Sequence, residues 1–307
     1  MTEFISRPQE IYLLERFSSA EYFKKLVDAF QNMLNTAEEA LDIFMQDLPF
    51  FYRRRHISEQ PDIVWGEYVL PNFRTTNQTL KMAYQQLLDG DLTALQYSAN
   101  VNVCFRGQTA DYLADWMDEE HYKLFNDWQN EASLYASNIK ATSFGQWNFL
   151  ELTDDYDEKY FGKLHLPISL PIYHINQNIK VKSGEKVPQD GVYISEVFES
   201  SAQLLLKNYD AIQVAVGLDE LGQQYKYKED TVWTLVERIA DEGESSEAKK
   251  TRLKGYSGDI CPESGNWWSP ANQSQYHHFE KGEIFPKIEN NEWGETVWYM
   301  EVNKQNA

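Results

Sequence analysis

At 307 residues, with 42% apolar and 14% aromatic side chains, the chain can bury a core as one large domain or two modest ones, which excludes a disordered polymer. Its 48 acidic against 28 basic residues give a net charge of −20, which disfavours nucleic acid and anionic membranes and suits a cationic partner or solubility alone. Two distant cysteines, Cys104 and Cys261, make no disulfide framework, and the absence of a signal-peptide start or a run of ~20 apolar residues places the protein in the cytoplasm.

In chain order, residues 1–17 read as an arm whose Ile11, Leu13, Leu14 and Phe17 tuck onto the body. Ser18 and Glu21 match a capping box for a helix with Phe23, Val27, Phe30, Leu34, Ala37, Leu41, Phe44 and Leu48 on one face, stopped by Pro49. It is one helix or two, broken near Asn35-Thr36. The only basic cluster, Arg53-Arg54-Arg55, is expected to pair with the chain's own carboxylates. Pro71 opens a helix that closes at Asp89-Gly90. Asp91 caps a third, from Leu92 to about Phe105, apolar on all sides and central, with Gly107 ending it. Residues 109–139 hold one or two more, with His121, Leu124, Phe125, Trp128, Ala132, Tyr135 and Ile139 as an inner stripe.

The acidic run Thr153–Glu158 lacks the glycine that a calcium loop needs. Beyond residue 164 the texture changes to strands. Asp190-Gly191 is a turn before one strand, Ile212 to Leu218 alternates as another, Gly222 turns the chain into Tyr225–Lys228, and Thr231–Ile239 favours strand over helix. Residues 241–250 read as a loop. A module of short strands and turns spans 258–302, in which Thr296, Trp298, Met300 and Val302 share one face and Val297, Tyr299 and Glu301 the other. No internal repeat of fixed period is apparent. The expected fold is α+β: an N-terminal helical bundle (1–163) followed by a C-terminal antiparallel β-rich part (164–307), or one continuous globule.

No phosphate loop, nucleophile elbow or zinc helix is present. His277-His278 with Cys261 makes a poor zinc set, because adjacent histidines on a regular backbone point apart. Cys261 before Pro262 suits packing better than nucleophilic catalysis, and acidic pairs such as Asp154-Asp155 arise by chance in so acidic a chain. No catalytic residue, metal or cofactor is expected.

The sequence Cys261-Pro262-Glu263-Ser264-Gly265-Asn266-Trp267, followed by Phe279-Glu280-Lys281-Gly282-Glu283-Ile284-Phe285-Pro286 and Gly294-Glu295-Thr296-Val297-Trp298-Tyr299, resembles the C-terminal signature of a family of bacterial immunity proteins. These are the partners encoded beside polymorphic toxins, immunity protein families seventy-one and seventy-two. The resemblance covers 255–302 by motif and the remainder only by architecture. It implies a non-enzymatic cytoplasmic inhibitor that binds and occludes the toxin domain of a secretion-system effector, such as one of type VI secretion. The acidity suggests a basic toxin, with Asp118, Glu119, Glu120, Asp154, Asp155, Asp157 and Glu158 as the toxin-binding face. The motif residues Cys261, Pro262, Ser264, Gly265, Trp267, Gly282, Pro286, Gly294 and Trp298 are expected to build turns and core. Two other readings stay open: an enzyme with a site near Cys261, His277 and His278, or a regulatory or scaffold protein.

Overall fold

Helical periodicity in the first half and two-residue alternation in the second produce the α+β order. The computed structural model describes residues 8–109, 112–167, 169–218, 225–240, 253–269, 271, 276–288 and 296–300. The loop expected at 241–250, Gly222 and Gly294 lie outside them, as do Glu301 and Val302. Among the described residues the helices are α1 (Pro8–Phe17), α2 (Ala20–Gln46), α3 (Pro61–Val64), α4 (Leu70–Leu88), α5 (Ala99–Thr109), α6 (Glu119–Ser143) and α7 (Glu158–Phe161). The strands are β1 (Ile172–Lys182), β2 (Gly191–Ser195), β3 (Gln203–Leu205), β4 (Val214–Leu218), β5 (Tyr225–Glu229), β6 (Val232–Ala240), β7 (Lys254–Tyr256), β8 (Gly265–Trp268), β9 (Tyr276–Phe279) and β10 (Val297–Met300). The chain divides into two compact units, Met1–Glu242 and Gly243–Ala307, so the passage from helix to strand falls inside the first.

Within the first unit, α2 is one unbroken helix whose Phe23, Val27, Phe30, Leu34 and Ala37 are all buried. Its cap is Ser19, one residue later than expected. Ser19 Oγ accepts from Tyr22 N at 3.1 Å, whereas Ser18 Oγ donates back to the Leu14 carbonyl and so belongs to the previous helix. The expected arm is that helix, α1, with Ile11, Leu13, Leu14 and Phe17 buried. The third expected helix is corrected. Asp91 caps a 3₁₀ turn over Leu92–Ser98, and α5 then runs past Gly107 to Thr109. It is not central, since only Val101 and Phe105 of α5 are buried and Val103 is 60% exposed. On α6 the inner stripe narrows to Phe125, Ala132, Ala136 and Ile139, while Leu124 is exposed. No helix among the described residues is long and apolar enough to cross a membrane.

The first unit's main sheet has the order β1-β6-β2-β3, fully antiparallel, with a separate β4–β5 hairpin. Tyr173 Oη donates to Glu15 at 2.8 Å, and buried Glu10 accepts from Ser201 Oγ and Ala202 N, tying α1 to the sheet. The second unit's sheet has the order β7-β10-β8-β9.

These two sheets share one strand order and register, a correspondence that has no fixed period and so does not register as a repeat in the sequence. Strand for strand, β1, β6, β2 and β3 correspond to β7, β10, β8 and β9. Val181 opposes Trp233 as Gly255 opposes Trp298; Tyr193 opposes Leu235 as Trp267 opposes Met300; Gly191 opposes Leu205 as Gly265 opposes Phe279. The isolated bridge Lys186–Asp210 corresponds to Ile260–Ile284. The described counterparts that are identical in sequence are Lys180/Lys254, Ser183/Ser257, Gly184/Gly258, Pro188/Pro262, Gly191/Gly265, Ser195/Ser269, Lys207/Lys281 and Thr231-Val232-Trp233/Thr296-Val297-Trp298. The offset is 74 residues at Gly184/Gly258 and 65 at Trp233/Trp298, because the first copy carries the β4–β5 hairpin where the second has a shorter link.

Candidate functional site

Each described signature residue has a structural counterpart in the first sheet. Cys261 is fully buried in the second unit's core with Trp267, Phe285 and Trp298, as Val187 is in the first with Tyr193, Ala211 and Trp233. Ser264 Oγ accepts from Lys281 N at 2.8 Å, as Asp190 Oδ1 accepts from Lys207 N at 2.6 Å. Trp267 Nε1 donates to the carbonyl four residues earlier, Glu263 O (3.3 Å), and Tyr193 Oη does the same to Gln189 O (2.7 Å). Burial pushes the Tyr193 phenol up to about 12. The Trp298 indole donates to Pro286 O at 3.0 Å and that of Trp233 to Ile212 O at 2.7 Å. Gly282 has φ +98° where the first copy has Asn208 at φ +68°, two residue types that tolerate the left-handed region. The turn amides agree as well: Gly184 N donates to Ala211 O and Gly258 N to Phe285 O, both at 2.8 Å.

Where the copies differ, volume has moved across the core. A Cβ on Gly255 would stand 2.4 Å from Phe285 Cε2, while the first copy has Val181 and Ala211 at these positions. Small beside large has become large beside small. On the surface, the exposed Lys186–Asp210 ion pair (2.8 Å) is replaced by two exposed isoleucines, Ile260 and Ile284.

The Cys261 thiol donates to Glu263 O at 3.1 Å, and burial raises its pKa, the reverse of what a thiolate nucleophile needs. His277 stands edge-on to Trp298, whereas His278 pairs with Asn266 (3.1 Å) and Glu280 (3.5 Å). The Ser264 hydroxyl and His278 hold the Glu280 carboxyl below its ordinary value. Among the described residues no group of three or more His, Cys, Asp or Glu is placed to hold a metal ion.

The seven acidic candidates do not form one patch. Asp118, Glu119 and Glu120 open α6. Asp154, Asp155, Asp157 and Glu158 cluster around α7, which packs near Leu134 and Asn138, about four turns further along α6 and on the order of 20 Å away. Their roles also differ. Asp118 Oδ1 caps α6 through Glu120 N and His121 N (3.1 Å each), and its Oδ2 meets His121 Nδ1 at 2.7 Å. The backbone N–H of His121, with its side chain adding to it, holds the Asp118 carboxyl below the ordinary value. Asp157 caps α7 through Lys159 N, and Glu158 accepts from Leu164 N, while Asp154 and Asp155 are exposed. Reversing the charge at Asp118 is therefore expected to lower the melting temperature, whereas Asp154→Lys and Asp155→Lys leave it unchanged. The Asp118 contribution should be present above the ordinary aspartate pKa of 3.8 and fade as pH falls below it, because the folded-state pKa is the lower one.

Sequence reasoning missed a surface feature between α2 and α3. Among the described residues, only Arg53 of the basic cluster pairs as expected, with Asp62 at 2.7 Å. Arg54 instead stacks over Phe51 with its guanidinium carbon 4.4 Å from the ring centroid. Neither Arg54 nor Arg55 has an ion-pair partner among the described residues. Phe50 and Phe51 are 86% and 53% exposed, and Phe51 sits at φ +69°, a strained conformation for a bulky side chain. The signal was available in the two adjacent phenylalanines after Pro49, since apolar side chains there have no helical face to join.

No family model, curated protein or solved structure matches this chain.

Proposed function

We propose that this chain is an immunity protein, which binds a cognate antibacterial toxin domain in the cytoplasm and neutralises it by covering its surface. The carrying observation is the signature Cys-Pro-Glu-Ser-Gly-x-Trp with its downstream Phe-x-x-Gly-Glu-x-x-Pro and Thr-Val-Trp-Tyr. The placement of the signature side chains supports the reading. They are spent on a turn-and-core scaffold, and the one sulfur among them is buried with a raised pKa, so inhibition by contact needs nothing more from them. A net charge of −20 further suits fast capture of a basic toxin, since complementary charge lifts association from ~10⁵–10⁶ toward ~10⁸–10⁹ M⁻¹s⁻¹ at low salt.

The test is co-expression with the toxin domain encoded by the adjoining reading frame. Cells carrying both are expected to grow and the two proteins to co-purify, with Cys261→Ala, His277→Ala and His278→Ala still protective. Growth arrest despite a well-folded chain would end the proposal. Loss of protection on removing the cysteine or a histidine, with stability intact, would favour the enzyme instead.

A further inference from the structure

We infer that the tip formed by Phe50, Phe51, Arg54 and Arg55 is the wedge that enters the partner, and that the partner offers an apolar recess rimmed by carboxylates. The inference rests on the immunity reading and adds the surface and the chemistry of its target. Three observations converge on this segment.

First, the tip is pre-shaped. Tyr52 is buried and donates to Asp62 Oδ1 at 2.5 Å; Arg53 pairs with Asp62 and donates to Gln60 Oε1 at 3.1 Å; Gln60 Nε2 in turn donates to the Arg55 carbonyl at 2.9 Å. Turn amides add Tyr52 N to Pro49 O (2.9 Å) and Arg54 N to Phe51 O (2.8 Å). This network spends the inward-facing groups and fixes Phe51 in its left-handed conformation. A rigid contact segment loses little entropy when it docks, which raises affinity without further contacts.

Second, the composition is that of an interface anchor. Phe50 and Phe51 touch each other with ring centroids 3.9 Å apart, and Ile57, six residues further along the chain than Phe51, is also exposed. Aromatic residues and arginine are the types enriched where binding energy concentrates. Exposed apolar surface of this kind, held rigid at a cost in backbone strain, serves folding poorly.

Third, the charge is of the opposite sign to the remainder. In a chain of net charge −20, Arg54 and Arg55 have no carboxylate of their own among the described residues. Guanidinium groups bind carboxylates in a planar two-point geometry, so their complement is a carboxylate-bearing rim. Active-site clefts that work by acid–base catalysis or bound metal ions carry such carboxylates around an apolar recess. Acidic faces elsewhere on the chain would draw in a basic toxin body, and the tip would then close its acidic cleft.

The test measures binding of an inactivated form of the toxin domain encoded next door to the wild-type chain, to Phe50→Ala/Phe51→Ala, to Arg54→Glu/Arg55→Glu, and to Phe198→Ala as an exposed control on another loop. All substituted side chains except those of the arginines are among the exposed large apolar ones, and melting temperatures should be unchanged. Each tip variant is expected to weaken Kd by at least about 30-fold, with Phe198→Ala at the wild-type value. The arginine variant should also flatten the salt dependence of association, which the phenylalanine variant should keep. Wild-type affinity in both tip variants would overturn the wedge and leave the immunity reading standing. If the wild-type chain itself does not bind, both fall together. If sedimentation shows a wild-type dimer that the tip variants convert to monomer, the tip is a self-association surface and the inference is likewise overturned.

Discussion

Phe285→Ala and Gly255→Val are each expected to destabilise the second unit, and together to do so less than Phe285→Ala alone. Phe285 is buried between Trp267 and Trp298, so truncation should cost ~3–5 kcal/mol. Valine suits the strand backbone at Gly255, so its cost of ~1–3 kcal/mol comes from the clash with the Phe285 ring, 2.4 Å from the new Cβ. The double variant restores the valine–alanine pair that the first sheet already holds as Val181 and Ala211. A coupling of up to ~3 kcal/mol in the stabilising direction is then expected. Hydrogen exchange of the β10 amides would measure it locally, without assuming that the whole chain unfolds in one step. Additive costs would mean that the two sheets are alike in backbone only.

Trp233→Ala and Trp298→Ala are expected to cost ~3–5 kcal/mol each, in separate units. Both indoles are at most 1% exposed, and each donates to a carbonyl of the segment that folds over its sheet, Ile212 O and Pro286 O. Removing either ring opens a cavity and takes a donor from that carbonyl, although Ile212 O keeps the Ser183 hydroxyl (2.9 Å), so unpaired hydrogen bonding adds to the loss chiefly at Trp298. Because the two positions are counterparts, their costs should agree within about 1 kcal/mol, and phenylalanine in place of alanine should recover the packing but not the hydrogen bond. Protection of cells should follow stability in these variants. A Trp298 variant that is fully stable yet not protective would move that residue from scaffold to contact surface.

Much of the scaffold was legible from local rules. The apolar spacing of Phe23, Val27, Phe30 and Leu34 is a helix face wherever the helix is placed, and Gly90 closes α4 because it accepts a positive φ. Pro71, expected to open that helix, instead lies just inside a helical run that continues without a break from Pro61 through the π-helical turn Trp65–Val69. The alternation of Val297, Trp298 and Tyr299 fixed a strand, and Gly258 and Gly282 fixed turns. The helix cap moved from Ser18 to Ser19 because the preceding segment is itself a helix that claims Ser18, a competition invisible while that segment reads as an arm.

The signature supplied a family resemblance and its glycines and tryptophans supplied turns and core, because both depend on neighbouring residues alone. Tertiary structure decided the remainder. It showed that Asn208 and Gly282, Tyr193 and Trp267, and Ala211 and Phe285 hold matching places, since a sheet conserves hydrogen-bond register and total core volume while the residues filling it exchange size. It separated the two acidic clusters along α6, and it left Arg54 and Arg55 facing water beside Phe50 and Phe51. Charge and hydrophobicity are written in the chain; which of them meets a partner is set by what the folded core has already used.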